Sequence, residues 1–447
     1  MSSSIGDVHW RVPVGCGFSG FFTEVVLGYL PALHTLGVKA SLLSGRCDDT
    51  WISQHLEPGD ATVLRDSWID EHALTPAQTA ASIAIEHGEP CGMRRWPMGS
   101  PSRPRRVIAR AMSEGDLSPS NAQCLTNADE VWVPTQWHVE RFVAAGVRNE
   151  ALRILPEAVD TTFFSPDHPA AVQARRSNSR FRNAPFSFVS VFKWEQRKGW
   201  DLLLRAYWLE FGAAEREKVV LRLKTYLPSW EPGPRDLNMH LAQFARYELE
   251  QRRDELPAVE LLVEDVSRDD MRAIYATADA FVLPTRGEGW GLPICEAMAM
   301  GVPPIATNFS GPTAFLTPDN SYALPVHRAL PGGFAEPSVE ALRGAMRHAY
   351  DERGELGARR GAVARADMVR HFSREAVGKV LLQRLQESAA VQPSIVEEQS
   401  VGGASHGKRS GKRRRRTASA SGAAADAGDS ARREQVKDEV RRARKEL

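Results

Sequence analysis

Short apolar runs alternate with amphipathic stretches along most of this chain. In residues 1–165 the runs include positions 42–43, 82–85 and 130–133, and stretches with helical spacing separate them. Strands that alternate with helices in this way join through right-handed crossovers and form a parallel sheet covered on both faces. The pattern therefore predicts an α/β domain in this part of the chain.

The second half of the chain shows the same alternation more clearly, because its apolar runs are richer in β-branched and aromatic residues. Parallel sheets of this kind bind ligands at the carboxyl ends of their strands. The loops after Phe192, Leu283 and Thr307 are therefore where chemistry is expected. Strands are predicted at residues 186–192, 219–223, 280–283 and 303–307, and helices at residues 200–211, at 271–277 and within 337–386.

Composition along the chain sets the predicted domain boundaries. A polar, Arg-rich interval with little apolar periodicity, residues 166–185, has the composition of a linker between an N-terminal domain at 1–165 and a C-terminal domain at 186–390. The C-terminal domain would end in closing helices. Residues 391–447 are rich in Ser, Ala and Gly, carry 14 basic and 8 acidic side chains, and are predicted to be a disordered basic tail.

The overall charge gives no reason to expect a nucleic acid or a membrane as the main partner, because 57 Lys and Arg balance 56 Asp and Glu. The basic run at residues 408–416 is the local exception. This run suits a weak contact with an anionic surface, such as a membrane or RNA, and it also suits a nuclear localisation signal. A solvated extension without a function is the simpler alternative. No stretch is apolar for long enough to predict a transmembrane helix.

The cysteines predict neither a disulfide framework nor a zinc site. They are odd in number, far apart and without a C-x-x-C pair. The first ten residues also lack the basic start and apolar run of a secretory signal. We therefore expect a cytoplasmic, reducing compartment. The five cysteines are Cys16, Cys47, Cys91, Cys124 and Cys295.

One segment combines several features of a phosphate-binding site. A predicted strand is followed by the glycine-rich loop 287–291, and Pro293 then suits the first turn of a helix that Gly301 would end. The N–H groups at such a helix start favour a diphosphate. Glu288 and Glu296 would hold hydroxyl groups at the two ends of a nucleotide sugar. The alternative is a tight turn whose acids support the helix N-terminus.

The run E-G-W-G-L-P-I-C-E-A-M-A-M-G-V-P, which begins at Glu288, resembles the signature of glycosyltransferase family 4, E-G-F-G-L-P-x-x-E-A-M-A-x-G-x-P. The resemblance implies the GT-B fold, in which two Rossmann-like parallel-sheet domains face a cleft. It implies that Glu288 contacts the transferred sugar and that Glu296 contacts the ribose. The other donor-binding positions implied are Gly289, Trp290, Gly291 and Leu292.

The resemblance extends beyond this signature. Residues 189–199, V-S-V-F-K-W-E-Q-R-K-G, resemble the family's phosphate-binding loop, in which Lys198 matches a lysine and Lys193 replaces the usual arginine. Both lysines would stabilise the leaving diphosphate, and the alternative for each is an exposed charge at a helix start. Three N-terminal segments resemble a branch of the same family in matching order: residues 110–116, 127–134 and 147–166.

Four N-terminal residues are weaker candidates. Gly17 lies in G-C-G-F-S-G, where the family has a loop that touches donor phosphate and acceptor, although a plain turn explains the same letters. His87 follows a predicted strand and either faces the transferred sugar or serves the structure. Glu114 and Asp116 either meet acceptor hydroxyls or cap a helix.

The resemblance implies a retaining transfer of a hexose-type sugar from a UDP- or GDP-linked donor to a glycan, a lipid or a small molecule. The sequence contains no Asp-x-Asp pair, so no metal or other cofactor is expected. An epimerase or a phosphorylase would share the architecture without this signature. The alternative that stays open is a catalytically degenerate binding or scaffolding protein, because Lys193, Trp290 and residues 310–315 depart from the family pattern.

Overall fold

The computed structural model of this protein describes residues 5–13, 20–179, 184–212, 214–231 and 235–391. The predicted Gly17 contact and the predicted disordered tail with its basic run at 408–416 lie outside the described residues, apart from position 391. Residues 1–393 form one compact unit that contains two six-stranded parallel sheets. The predicted α/β fold with two parallel sheets is confirmed.

The first sheet belongs to the N-terminal part, and its neighbouring strands are all parallel in the order β2-β1-β3-β4-β5-β6. Its strands are β1 (Val8–Arg11), β2 (Ala40–Leu43), β3 (Ile83–His87), β4 (Arg106–Arg110), β5 (Glu130–Val133) and β6 (Leu152–Ile154). The helices of this part are α1 (Gly20–Thr23), α2 (Leu30–Thr35), α3 (Asp49–His55), α4 (Pro58–Ser67), α5 (Pro76–Ala81), α6 (Pro119–Leu125), α7 (Gln136–Ala144) and α8 (Pro169–Ser179), with a π-helical turn at Glu24–Tyr29 between α1 and α2.

The second sheet has the order β12-β11-β10-β7-β8-β9 and is also parallel. Its strands are β7 (Phe186–Lys193), β8 (Val219–Tyr226), β9 (Ala258–Leu262), β10 (Ala280–Leu283), β11 (Pro304–Thr307) and β12 (Tyr322–Leu324). An antiparallel hairpin of β13 (Val326–Leu330) and β14 (Phe334–Pro337) follows. The helices are α9 (Trp200–Glu210), α10 (Leu237–Glu248), α11 (Arg268–Ala276), α12 (Leu292–Ala299), α13 (Val339–Asp351), α14 (Glu355–Asp367) and α15 (Arg374–Ala390).

The predicted strands of the second half agree with the structure where the strand is wholly or mostly buried. Strands β7, β10 and β11 lie within one residue of their predicted bounds. Strand β8 runs three residues beyond its apolar run, because Lys224 and Tyr226 alternate with buried neighbours and turn toward solvent. The hairpin β13–β14 was not predicted, since four of the five side chains of β13 are exposed and form no apolar run.

Helix α15 packs against helix α2 beside the first sheet. Its residues Val377, Leu381 and Leu385 are buried in the same apolar cluster as Leu30 and Leu33 of α2. This helix lies in the range predicted to close the C-terminal domain, so the chain returns in this helix to pack beside the first sheet. Helix α8 lies within the interval predicted as the linker. A segment with the composition of a linker therefore forms an 11-residue helix here.

The expectation of no disulfide is wrong. A disulfide joins Cys91 to Cys124, with 5.2 Å between their Cα atoms, and Cys47 is disulfide-bonded as well. The partners Cys91 and Cys124 are 33 residues apart in sequence, and they meet because helix α6 folds back beside the segment that follows β3. The cysteine spacing therefore gives no support to the predicted reducing compartment. In the described ranges no helix combines the length and apolarity needed to cross a membrane.

Candidate active site

The loop after β10 forms the centre of the site. Strand β10 ends at Leu283, and α12 begins at Leu292 with Gly291 as its N-cap in a left-handed conformation, φ 104°. Pro293 occupies the first turn, as predicted from the sequence. The first turn of such a helix presents backbone N–H groups to its N-terminal side, which favours a bound anion.

Glu288 in this loop is ion-paired with Lys198. The Lys198 Nζ lies 2.7 and 2.8 Å from the two carboxylate oxygens of Glu288, and both side chains are largely buried. Burial opposes ionisation of Glu288, but the charges of Lys198 and Arg197 lower its pKa below the usual value. Burial also lowers the pKa of Lys198, against the effect of Glu288. The two predicted residues therefore lie together as a buried ion pair.

Lys198 reaches Glu288 because the chain after β7 lies against the donor loop. Lys198 ends the one-turn helix Gln196–Lys198, and Gly199 follows it with φ 72°. A Cβ at Gly199 would lie 2.1 Å from the backbone oxygen of Pro284. Only a glycine therefore allows these two loops to pack this closely.

Arg197 is a member of the cluster that the sequence analysis missed. Its Nη1 donates to the backbone oxygen of Gly287 at 2.7 Å and lies 3.7 Å from Glu288 Oε1. Its Nη2 lies 3.3 Å from Glu114 Oε1. The signal available in the sequence was its position next to Lys198 in the R-K-G run. Arg197 thus supplies a guanidinium group close to the predicted site.

Lys193 lies apart from this cluster. It ends β7 and pairs in the sheet with Tyr226, and its Nζ is 5.9 Å from the ring centre of the exposed Trp230. The structure thus brings Lys198 and Glu288 together and places Lys193 beside an aromatic side chain instead. Its role at a diphosphate stays a prediction.

Glu296 lies in α12, about one turn further from the loop. The hydroxyl of Tyr275 donates to Glu296 Oε2 at 2.8 Å. Burial raises the pKa of Glu296 to about 7, although Tyr275 and the charge of Arg268 act in the opposite direction. The two acids of the signature therefore differ in charge state: Glu288 is held as a carboxylate, and Glu296 is close to half protonated at neutral pH.

Trp290 points into the core. Its ring is 2% exposed and lies 5.3 Å from the ring of Phe315 and 5.4 Å from that of Phe372. This side chain packs the helix α12 against the body of the domain, and its backbone is the part that lies in the loop. A tryptophan is therefore compatible with the phenylalanine position of the family signature.

The two predicted acceptor-side acids lie in the loop after β4, which contacts the donor loop. A Cβ at Gly287 would lie 2.3 Å from the backbone oxygen of Glu114, and a Cβ at Gly289 would lie 2.3 Å from Met112 Sδ. Asp116 donates its backbone N–H to Gly332 in the hairpin turn at 2.8 Å. The structure therefore places both predicted acids where the two sheets' layers meet.

His87 lies deeper, with no exposed surface. The Trp10 indole donates to His87 Nδ1 at 3.2 Å, which leaves the proton on Nε2, 3.1 Å from Glu24 Oε2. Burial lowers the pKa of His87. Because Trp10 occupies Nδ1 and His87 is fully buried, contact between His87 and a substrate would require rearrangement.

The buried group around His87 contains three charged residues that the sequence analysis did not assign. Arg110 Nη2 lies 3.3 Å from Glu24 and 3.9 Å from Glu157, and it donates to the Tyr29 hydroxyl at 3.0 Å. Burial and the neighbouring Glu24 raise the pKa of Glu157 well above its usual value, and Glu288 contributes in the same direction. This buried cluster therefore lies within electrostatic reach of the donor loop.

The architecture and the site together define a class. Two Rossmann-like layers meet through loops at the carboxyl ends of their strands, and the ion cluster of Glu288, Lys198 and Arg197 lies at that contact. This is the GT-B arrangement. Across the ranges that the structure describes, no group of three or more His, Cys, Asp or Glu side chains is arranged to hold a metal ion.

Comparisons with known proteins agree with this class. Residues 185–343 match the family model described as glycosyl transferases group 1. A glycosyltransferase from Rickettsia africae has a similar structure, with a TM-score of 0.62 and 13% identity over 87% of this chain and 100% of that one. HepE of Anabaena, solved with UDP and glucose, has a TM-score of 0.59 and 15% identity. The match covers 86% of this chain and 100% of that one. At these identities the structural likeness shows the fold alone.

Two curated relatives share more sequence. The GDP-mannose-dependent monoacylated alpha-(1-6)-phosphatidylinositol monomannoside mannosyltransferase of Corynebacterium glutamicum is 26% identical over 278 residues, 58% of this chain and 63% of that protein. The GDP-mannose-dependent alpha-(1-6)-phosphatidylinositol monomannoside mannosyltransferase of Mycolicibacterium smegmatis is 29% identical over 196 residues. These residues are 41% of this chain and 46% of that protein. The chain thus spans about half to just under two thirds of these relatives' lengths. The fold is GT-B, and these findings support an assignment to the glycosyltransferase family 4 type.

Proposed function

We propose that this protein transfers a hexose-type sugar from a nucleoside-diphosphate sugar to an acceptor, with retention of configuration and without a metal ion. The observation that carries the proposal is the buried ion cluster of Glu288, Lys198 and Arg197 beside the start of α12. It combines two cations, a helix N-terminus and a carboxylate at the contact between two layers. These are the groups that departure of a diphosphate requires.

Each group has a distinct task in the proposed reaction. As the bond between sugar and diphosphate breaks, negative charge grows on the diphosphate, and Lys198, Arg197 and the helix start would stabilise it. Glu288 would exchange its ion pair with Lys198 for hydrogen bonds to the transferred sugar. Glu296 would accept a hydrogen bond from the ribose. The acceptor hydroxyl oxygen would attack the anomeric carbon on the face that the diphosphate leaves, and the hydroxyl proton would pass to the departing diphosphate.

GDP-mannose is the first donor to test, because the curated relatives are named as GDP-mannose-dependent enzymes. UDP-glucose is the second. The acceptor is a glycan, a lipid or a small molecule, and a phosphatidylinositol monomannoside is the first candidate on the same grounds. Addition of a chelator should leave turnover unchanged if the cations of the cluster replace a metal.

The proposal is tested by release of free nucleotide from these donors. Lys198→Ala and Glu288→Ala should each lower the rate at least about 100-fold, because each removes a group that acts on the transition state. Lys379→Ala is the matched control, since Lys379 is exposed and pairs only locally with Glu375. Circular dichroism and thermal unfolding should show that the variants remain folded. Normal rates in both cluster variants would contradict the assignment.

A degenerate binding or scaffolding protein is the second candidate. The position of Lys193 beside Trp230 favours it, because the cation that the family places at the diphosphate is turned elsewhere. Calorimetric titration with both donors distinguishes the candidates. Binding of a donor without nucleotide release, with or without acceptor, would support the scaffold and contradict the enzyme.

A further inference from the structure

A cavity of about 330 Å³ with both polar and apolar walls lies on the first sheet, away from the buried His87 cluster. Arg11 and Glu86 line it, and they alternate along β1 and β3 with Trp10 and Ile85, which lie in the apolar core. Because successive side chains of a strand point to opposite faces, the cavity occupies the other face of the sheet. Its remaining walls come from positions within 71–79 and 94–102 and from four residues on or beside the strands, His9, Leu43, Ser82 and Ala84.

Two guanidinium groups converge on one carboxylate in this cavity. Arg11 Nη1 contacts Glu71 Oε2, and Arg94 Nη1 contacts Glu71 Oε1. All three side chains are between a quarter and a half exposed, so they are accessible from solvent. The carboxylate of Glu71 thus occupies a position in which any carboxylate or phosphate would meet two arginines. Such pairs are among the stronger anion contacts in proteins.

Buried residues of the cavity wall contact both arginines. Glu86, which is 2% exposed, accepts a hydrogen bond from Trp96 Nε1 at 2.9 Å and from the backbone N–H of Arg94 at 3.2 Å. The Arg94 guanidinium lies 4.2 Å from the ring centre of Trp96. Burial raises the pKa of Glu86, and Arg11 Nε lies 3.7 Å from Glu86 Oε2, so Glu86 is a second carboxylate partner of Arg11. The contacts with Glu86 and Trp96 therefore orient Arg94 toward the cavity.

The cavity runs along the sheet from Ser82, before the start of β3, to Arg11 and Glu86 at the carboxyl ends of β1 and β3. Arg11 is the last residue of β1, and Glu86 precedes His87 at the end of β3. The carboxyl ends of parallel strands meet at one edge, and the loop after β4 at that edge brings Glu114 to Arg197 of the donor cluster. The arginine end of the cavity therefore lies on the same side of the sheet as the donor cluster.

We propose that this cavity binds the anionic group, a phosphate or a carboxylate, of the acceptor, which takes the place of Glu71 between Arg11 and Arg94. The inference rests on the proposed function for the role of the bound molecule. Glu71 lies on the one-turn helix Glu71–Ala73 and acts as a competing internal anion. An acceptor without a negative charge would not displace it.

Calorimetric titration with glucose 6-phosphate, glucuronate and glucose tests the cavity directly. We expect the two anionic probes to bind and glucose not to bind. Arg94→Gln should weaken binding of the anions about tenfold, since it removes one of two charge-assisted contacts. Glu71→Gln should instead tighten it severalfold, because the competing carboxylate is gone. Arg65→Gln, a change at an exposed arginine that pairs with Asp49, is the matched control.

Tighter binding in Glu71→Gln is the decisive result, because a merely structural Glu71 would give equal or weaker binding. Absence of anion binding to the wild type, or binding that neither Arg94→Gln nor Glu71→Gln alters, would overturn the inference. Nucleotide release from GDP-mannose and UDP-glucose by the wild type, with and without an acceptor, reports on the proposed function separately. If release fails while the probes bind as expected, the cavity is an anion site and the acceptor role is wrong.

Discussion

At the scale of single residues, the two glutamates of the signature differ because their neighbours differ. Glu288 faces Lys198 and Arg197, which hold it ionised, whereas Glu296 faces the neutral hydroxyl of Tyr275 in a buried position. A carboxylate suits hydrogen bonds to sugar hydroxyls beside a diphosphate. A carboxyl group that titrates near neutrality makes both its contacts and its effect on stability depend on pH.

Glu296 should lower the stability of the protein as the pH rises. Its pKa is about 7 in the folded state against a usual value of 4.5, so the folded state binds more protons between these values. The free energy of unfolding should therefore fall between pH 4.5 and pH 7, by up to roughly 3 kcal/mol from this group, and level off above. Urea denaturation at pH 5 and pH 8 measures the change.

Glu296→Gln isolates this contribution. The amide keeps an oxygen that accepts from Tyr275 but cannot ionise, so the variant should match the wild type at pH 5 and exceed it in stability at pH 8. Other titrating groups cancel in the difference between the two proteins. A difference that stays constant over this range would show that Glu296 does not titrate there.

At the scale of elements, glycines set how closely loops from the two layers approach. Gly287 lies against the backbone of Glu114, and a Cβ there would also lie 2.9 Å from a ring carbon of Phe334 in the hairpin. Real Cβ atoms do not make such contacts, so a side chain would force the loops apart. The donor loop, the loop after β4 and the hairpin therefore form one packed junction.

Gly287→Ala should disturb catalysis more than folding. Separation of the loops by a fraction of an ångström displaces Glu114 from Arg197 and loosens the site, and we expect kcat/KM for transfer to fall about 10- to 100-fold. Steady-state kinetics and thermal unfolding measure the two effects. Gly344→Ala is the control, because nothing lies within 4 Å of a Cβ built there. Equal kinetics in the two variants would contradict this account of the junction.

At the scale of the whole molecule, four charges tie the two layers together. Arg374 of α15 lies 2.7 Å from Asp60 in α4 and 3.1 Å from Asp160, which follows β6. Arg268 of α11 lies 3.3 Å from Asp160 and 3.7 Å from Asp60. The cluster joins α4 of the first layer, α11 of the second layer and α15. It is partly shielded from water, so each charge depends on its partners.

Asp60→Asn should therefore destabilise the whole unit. Removing one acid leaves two arginines to share Asp160, and we expect a loss of about 2 kcal/mol in the free energy of unfolding. Urea denaturation measures it. Asp49→Asn serves as the control, since Asp49 is 90% exposed and its pair with Arg65 should contribute little. The cluster would be unimportant if both variants unfolded at the same urea concentration.

The sequence by itself determined the features that depend on neighbours along the chain. The apolar runs of β7, β10 and β11, the loop before α12 and its Pro293 are local patterns, and the structure contains them at the predicted positions. These features can be predicted from the sequence because side-chain periodicity and the backbone preferences of glycine and proline act within a few residues. The signature also identified the family type.

Only the tertiary structure decided which distant side chains meet. Lys198 and Glu288 are 90 residues apart, Arg110 and Glu24 are 86 apart, and nothing in either local segment specifies the partner. The same holds for the disulfide between Cys91 and Cys124, and for Trp290, whose ring turns into the core. Charges and sulfur atoms are paired by the packing of the layers, so spacing along the chain cannot reveal them.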